Sequence, residues 1–453
     1  MEEGSQVGAR SLAGEVHCLH RVLGGSQRSI EVMAPRNFPG FIPLTSRSRR
    51  MAAMSMVLAG GLVLGGCAAG AVDSGIPSTG SAVTVSDGVA SSEPAVATTT
   101  AATIVDTSAA VESFLGTLSD HQREQVVYDF DDETKSTSWS NFPVTFVDRA
   151  GLDLTGLTDE QRAAAMEVLE ALLSDDGYAT VTGIMGGDQF LNENSSSTED
   201  SLGQYYIAFF GEPSTTGEWA IQFGGHHVGI NATVDGADAS ITFAPTHLGV
   251  QPAVYTDADG NEVQPIAGMY ETAFGFYDSL TEEQRTRLYQ GENVQNLVCA
   301  PGDTCDFPTG TGIAGSDLTD EQRQLLLDVI ANWVGLADDE TTSEQLAAIE
   351  ATLDETYVNW SGATEYDMTR GDGIYFQISG PNVYIEFSSQ QGSAGADVAG
   401  YTTAGWGHVH TIYRDPSNDY AGSVTQQEAA GTSGGPGGGA PAGGFIGTPP
   451  SGP

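Results

Sequence analysis

Polar and apolar positions alternate most clearly in four short runs. Tyr205-Tyr206-Ile207-Ala208-Phe209 and Trp219-Ala220-Ile221-Gln222-Phe223 form one pair, and Ile374-Tyr375-Phe376-Gln377-Ile378 and Val383-Tyr384-Ile385-Glu386-Phe387 form another. Each pair reads as a β-hairpin, because a period of two lines up one apolar row on one side of an extended strand. Elsewhere the signal is helical. Ser119-Asp120-His121-Gln122, Thr158-Asp159-Glu160-Gln161, Thr281-Glu282-Glu283-Gln284 and Thr319-Asp320-Glu321-Gln322 are capping boxes. In each the hydroxyl accepts from an orphan amide, the glutamine reaches back, and the acidic residues face the positive helix end. Behind the last box Leu325, Leu326, Val329, Ile330, Trp333 and Val334 recur at helical spacing. Hairpins and capped helices in one chain predict an α+β fold, with an antiparallel sheet core and helices packed on it.

The boxes come in two pairs whose internal spacing agrees to one residue, and a hairpin follows each pair. A histidine pair follows each hairpin: His226-His227 in one stretch, His408-Val409-His410 in the other. This order predicts an internal repeat, 119–235 and 281–415, with the histidine pairs in equivalent places near a pseudo-two-fold axis.

The ends of the chain lack such periodicity. Arg47-Ser48-Arg49-Arg50, an apolar run over 51–64 and then Gly65-Gly66-Cys67 resemble a bacterial lipoprotein signal with Leu64-Gly65-Gly66-Cys67 as its lipobox. The resemblance implies cleavage before Cys67, a lipid on Cys67, and a protein anchored at the extracytoplasmic face of the cell membrane. A transmembrane helix is the rival, although the apolar run is short for one. Residues 1–32 have no place in such a signal, whereas Met33 would start a normal one, so 33–67 is the signal region and 1–32 a misassigned upstream segment. Residues 68–108 are small and polar and read as a flexible linker, 426–453 as a disordered Gly/Pro-rich tail, and 109–425 as the globular domain.

Charge narrows the partners. Acidic residues number 60 against 16 Lys plus Arg, which opposes contact with a phosphate backbone, so nucleic acid is excluded as a partner. Of the four cysteines, Cys299 and Cys305 remain after removal of the signal and lipidation of Cys67, and they can close a small loop as a disulfide outside the cytoplasm.

The histidines carry the candidate chemistry. On a strand His408 and His410 project from one face with Ile412 and Arg414, a ready pair of metal ligands. His226 and His227 are the obvious further donors. As adjacent residues on a strand they would face opposite sides, so one alone should reach a shared centre unless the surrounding glycines form a bulge. Imidazoles suit a divalent transition metal, zinc, copper or iron. Glu386, between Ile385 and Phe387, reads as a ligand, a general base or an ion-pair partner of Arg414. Arg414 with Asp415 and Asp419 could orient an anionic substrate, and a strand-end salt bridge explains them as well. The Gly310-to-Gly315 and Gly431-to-Gly435 glycine strings lie in loop or tail contexts that do not fit a dinucleotide site or a nucleophile elbow.

Phe210-Gly211-Glu212-Pro213, Trp219 with Gly225-His226-His227, Pro245-Thr246-His247-Leu248-Gly249-Val250-Gln251-Pro252, the hairpin through Gly380-Pro381, and His408-Val409-His410 with Arg414-Asp415 occur in one order. Together they resemble the domain of unknown function 3500 family, an uncharacterised group of mostly secreted bacterial proteins, over about 110–425. His247 stands where that family more often has an aromatic residue, which makes it a poor ligand candidate. The resemblance implies no activity. The residues favour an extracytoplasmic lipoprotein acting as a metal-dependent enzyme on a small molecule, a hydrolase ahead of an oxidoreductase, with Glu386 and Arg414 catalytic. The alternative is a lipoprotein that binds a metal or small ligand without turnover.

Overall fold

The computed structural model describes residues 99–424 except 198–202, 303 and 393–394. The signal region, Cys67 and the 426–453 tail lie outside them. Among the described residues the helices are α1 (Thr99–Thr117), α2 (Asp120–Val126), α3 (Thr134–Thr137), α4 (Asp159–Leu172), α5 (Asp175–Asn194), α6 (Ala267–Ser279), α7 (Glu282–Leu288), α8 (Asp320–Val334) and α9 (Asp339–Glu350). None is long and apolar enough to cross a membrane. The strands are β1 (Val127–Tyr128), β2 (Leu152–Asp153), β3 (Tyr206–Phe210), β4 (Glu218–Gly224), β5 (Val228–Asp235), β6 (Ser240–Thr242), β7 (Thr246–Val250), β8 (Tyr255–Thr256), β9 (Glu262–Val263), β10 (Ile313–Ala314), β11 (Tyr357–Gly362), β12 (Ile374–Ser379), β13 (Tyr384–Gln390) and β14 (Gly405–Arg414).

One mostly antiparallel sheet runs in the order β1-β3-β4-β5-β7-β14-β13-β12-β11-β10, with β2 on β3 and β6 on β5. This is the α+β architecture expected, and both expected hairpins are present as β3–β4 and β12–β13. Its centre is the seam between β7 and β14, where Val250 lies opposite Val409 and Gly249 opposite His410. Strand order does not give the two histidine runs matching places. His226-His227 lie in the β4–β5 connection, whose counterpart counted from the seam is the β12–β13 turn at 380–383, whereas His408 and His410 lie on a seam strand.

All four capping boxes form. Their spacing has a cause that the caps alone do not supply: the boxes of each pair interlock. Gln284 and Gln322 each donate to the other's side-chain oxygen, at 2.9 and 3.0 Å, and donate again to Asp317 O and Ser279 O. Gln122 and Gln161 make the same reciprocal contact at 3.3–3.4 Å. The N3 glutamine therefore ties two helix starts together as well as capping its own.

The linker expected over 68–108 ends earlier, because α1 begins at Thr99. Large residues are sparse there, but Ile104, Val111, Phe114 and Leu118 recur about every two turns or one and enter the main core with α4 residues Val168, Leu169 and Leu172. A composition reading averages over that stripe and loses it.

The longer helices cover one side of the sheet. Ile221, Phe223, Ile230, Leu248, Val409, Tyr413, Ile385, Phe387 and Phe376 face them and form a single core. The alternate residues, polar ones included, are also buried, for all ten residues of β14 are shielded from solvent. Loops do this. Trp139 and Tyr420 pack on Ile412, Phe307 and the Cys299–Cys305 disulfide pack on Tyr384, and Ser138 donates to Gln222 at 2.8 Å.

Candidate metal centre

The β4–β5 connection consists of Gly225, His226 and His227, closed by a 2.8 Å bond from Gly225 N–H to Val228 O. The pair therefore sits in a tight turn, which corrects the expectation of a strand with the two rings on opposite faces. Alternation holds only in extended backbone, and here the two imidazoles stack at 4.0 Å between centroids, 23° apart in plane. Glycine is required at both positions that lead into the bend. A Cβ on Gly224 would lie 2.4 Å from Val228 O, and one on Gly225 would lie 2.5 Å from Gln204 O. The Arg149 guanidinium fastens the turn from outside by donating at 2.8 Å to Gly225 O and at 2.8 Å to Ser140 O.

His408 and His410 come from β14 on one face, as expected, with ring centroids 4.9 Å apart and Nε2 atoms 3.3 Å apart. His410 reaches the stacked pair, at 5.6 Å from the His226 ring and 5.3 Å from that of His227, and His408 lies 5.6 Å from His227. Gly249 on β7 makes this convergence possible. A Cβ there would stand 3.1 Å from His410 Cδ2 and 3.3 Å from His227 Cδ2, in addition to 2.6 Å from Val409 O. The structure thus brings all four predicted histidines into one cluster. His226, His227 and His410 each offer a ligand atom within 4.8 Å of the others, and this buried group could hold a metal ion. His408 adjoins it through His410.

Two observations on the chain itself fit a cation. His226 Nδ1 and His227 Nε2 are buried with no hydrogen-bond partner among the described residues, a costly state for a polar atom unless an ion or proton meets it. The 3.3 Å between the Nε2 atoms of His408 and His410 also matches two nitrogens about 2.0–2.1 Å from one tetrahedral ion, which stand about 3.3–3.4 Å apart. Electrostatics agree. Burial pushes His227 and His408 down to about 3, and it drives His226 and His410 well below the usual imidazole range, with neighbouring histidines adding to the effect. The rings are therefore neutral at pH 7, the state that ligates a metal.

His247 stands against the cluster, 5.4 Å from His410 between centroids, but its Nδ1 faces Thr411 O at 2.7 Å and its Nε2 faces His226 O at 3.2 Å. Both nitrogens are engaged by carbonyls, consistent with its reading as a poor ligand. Two side chains that sequence reasoning missed touch the cluster. Asp188 on α5 meets His227 Nδ1 at 2.5 Å and accepts from Tyr205 Oη at 2.6 Å, and the Asn141 side chain lies 3.1 Å from His410 Nδ1. Burial pushes Asp188 up to about 6, against the opposing pull of the neighbouring histidines and the Tyr205 hydrogen bond.

Glu386 and Arg414 are not brought to the cluster. Glu386 is fully buried beside Ile412 and accepts from Val298 N–H, Cys299 N–H at 2.8 Å and Tyr375 Oη at 2.6 Å. Burial raises its pKa and those donors lower it in turn. Its place is to hold the loop that the Cys299–Cys305 disulfide closes, whose Cα atoms are 5.4 Å apart. Arg414 pairs through Nε with Asp419 at 2.7 Å, both fully buried. The expected partner Glu386 is therefore replaced by an acid five residues along, in the strand-end salt bridge that was the other reading.

A profile of the family described as protein of unknown function (DUF3500) matches residues 100–422, most of the chain. No curated protein and no solved structure matches it significantly.

Proposed function

We propose that this chain, which belongs to the DUF3500 family of proteins of unknown function, is a metal-binding protein whose centre is the buried cluster of His226, His227, His408 and His410. The observation that carries this reading is the pair of buried, unpartnered nitrogens on His226 and His227, within a group of neutral imidazoles. Four nitrogens without a carboxylate ligand suit zinc, copper or iron, and magnesium or calcium, which prefer oxygen, fit poorly. Elemental analysis of the purified full chain, grown with each metal and compared with His226→Ala/His410→Ala, tests it. Near-stoichiometric metal in the wild type that is lost in the variant supports the reading, and a metal-free wild type after incubation with all three ions contradicts it.

Catalysis is the second reading, favoured by one observation. As whole residues His226, His408 and His410 keep 8, 5 and 6 % of their surface exposed against none for His227, so these three lie nearer solvent than His227 does. A three-histidine set leaves a coordination position for water. Zinc would supply an activated water and hydrolytic chemistry there, and copper or iron would supply redox chemistry. Glu386 does not serve as the base in either case, since its oxygens are committed to the 298–299 amides. We further propose a lipid anchor at Cys67 on the extracytoplasmic face of the membrane, carried by the lipobox and compatible with a disulfide that needs an oxidising compartment. Cys67→Ser should move the protein from the membrane to the soluble fraction, and an unchanged distribution contradicts the anchor.

A further inference from the structure

A neutral imidazole has one proton, and the nitrogen that carries it cannot ligate a metal. The partner at the opposite nitrogen therefore decides which ligand atom each histidine presents. His227 Nδ1 is held by Asp188 Oδ1 at 2.5 Å, and His408 Nδ1 is held by Gln391 O at 2.8 Å. Both partners are acceptors when Asp188 is ionised, so both protons sit on Nδ1 and both Nε2 lone pairs are free. His227 Nε2 is one of the buried unpartnered atoms.

His410 is the exception. Its Nδ1 faces Asn141 Nδ2, a donor, at 3.1 Å, while Asn141 Oδ1 is buried with no hydrogen-bond partner among the described residues. A donor at Nδ1 would force the proton onto Nε2, toward His408. The two ends of an amide have the same shape. Turning Asn141 by 180° about its last side-chain bond brings Oδ1 onto Nδ1–H and gives that oxygen its missing partner. His410 Nε2 then faces the cluster as a lone pair, like its neighbours.

Building on the metal centre proposed above, we propose that Asp188, Gln391 O and Asn141 Oδ1 form one positioning shell. Each fixes an Nδ1–H so that His227, His408 and His410 all ligate through Nε2. Asp188 is the charged member. It enters from α5, where Gly187 lies close against Val250 and a Cβ on Gly186 would stand 2.3 Å from Tyr255 Oη, and Tyr205 Oη donates to its second oxygen. A carboxylate behind a ligating imidazole makes the ring a stronger donor and compensates cation charge.

Metal titration of the full chain with cobalt(II), read by affinity and by ligand-field absorption, tests this shell. Asp188→Asn should weaken binding roughly 10- to 100-fold and shift the spectrum. Asn141 lies in a surface-covering loop and gives a test that does not depend on the fold tolerating a core change. Asn141→Asp keeps an acceptor and should bind as tightly as the wild type or more so, whereas Asn141→Leu should weaken binding about 10-fold. If Asn141 instead donates to His410, Asp and Leu weaken binding alike, and the shell is overturned. It is overturned too if Asp188→Asn leaves affinity and spectrum unchanged. A wild type that binds no cobalt, zinc, copper or iron defeats the metal centre itself as well, whereas normal wild-type binding with indifferent variants defeats the shell alone.

Discussion

From His408 to Arg414 strand β14 carries different chemistry on its two sides. Val409, Thr411 and Tyr413 face the helices, where Trp333 packs and donates to Thr411 Oγ1 at 2.9 Å. His408, His410, Ile412 and Arg414 face the loops, among Asn141, Trp139 and Asp419. Both sides are buried, so burial alone does not separate stability from function. The helix side is apolar and complete in itself, as a core needs to be. The loop side keeps a cluster of imidazoles with unpartnered nitrogens, and such groups destabilise a fold unless something else meets them. The asymmetry points to a site rather than a second core.

Acid should expose the difference most strongly. In the metal-free protein His227 and His408 are pushed down to about 3 and His247 to about 4 by burial, against about 6.5 when unfolded. Depressed histidines contribute stability that is present above pH 6.5 and lost as pH falls toward their folded values. Asp188, raised to about 6, acts in the opposite sense and gains stability as pH falls below 6. The net for these four groups is a loss of roughly 2–3 kcal/mol per pH unit below 6. Urea midpoints at pH 7 and pH 5 measure it, and saturating metal should raise both midpoints without removing the loss, because the folded rings are unprotonated with or without the ion; equal midpoints in the metal-free protein would break the account of the loop side.

Trp333→Ala attacks the other side. It removes a fully buried ring next to Phe376 and should lower stability by about 3–5 kcal/mol, with unchanged metal content in the fraction that stays folded. Metal loss in parallel would show that the two sides act as one. A smaller effect is expected at the turn. Gly225→Ala drives a Cβ to 2.5 Å from Gln204 O and should lower stability by about 1–3 kcal/mol while weakening metal binding at least several-fold, as calorimetry would show. Phe146→Ser serves as the baseline. Phe146 is 64 % exposed in the 138–150 loop, and its replacement should stay within about 0.5 kcal/mol with metal binding unaltered.

What was legible in the sequence follows the range of each interaction. Capping boxes and hairpins depend on residues a few positions apart, so the helix starts at Thr158, Thr281 and Thr319 and the β3–β4 and β12–β13 pairs read correctly. His408 and His410 were legible as one face of a strand for the same reason. His226 and His227 were legible as candidates but not as a turn, because glycine carries no periodicity and leaves strand and bend alike. The partners that orient the rings depend on contacts across the fold. Asp188 reads as a polar residue in a helix, and its one local signal is the Gly186-Gly187 pair beside it, which marks a close approach. Asn141 lies in a loop with no signal of its own, 269 residues from His410. Which donors claim Glu386 depends on a loop nearly 90 positions away.

Anomalous diffraction from crystals of the protein loaded with zinc, copper or iron tests the central claim most directly. The account predicts one strong peak within the histidine cluster, about 2.0–2.1 Å from the Nε2 atoms of His227, His408 and His410, with His226 as the further nitrogen donor. A cluster without a peak, or peaks confined to the acidic surface, would contradict it.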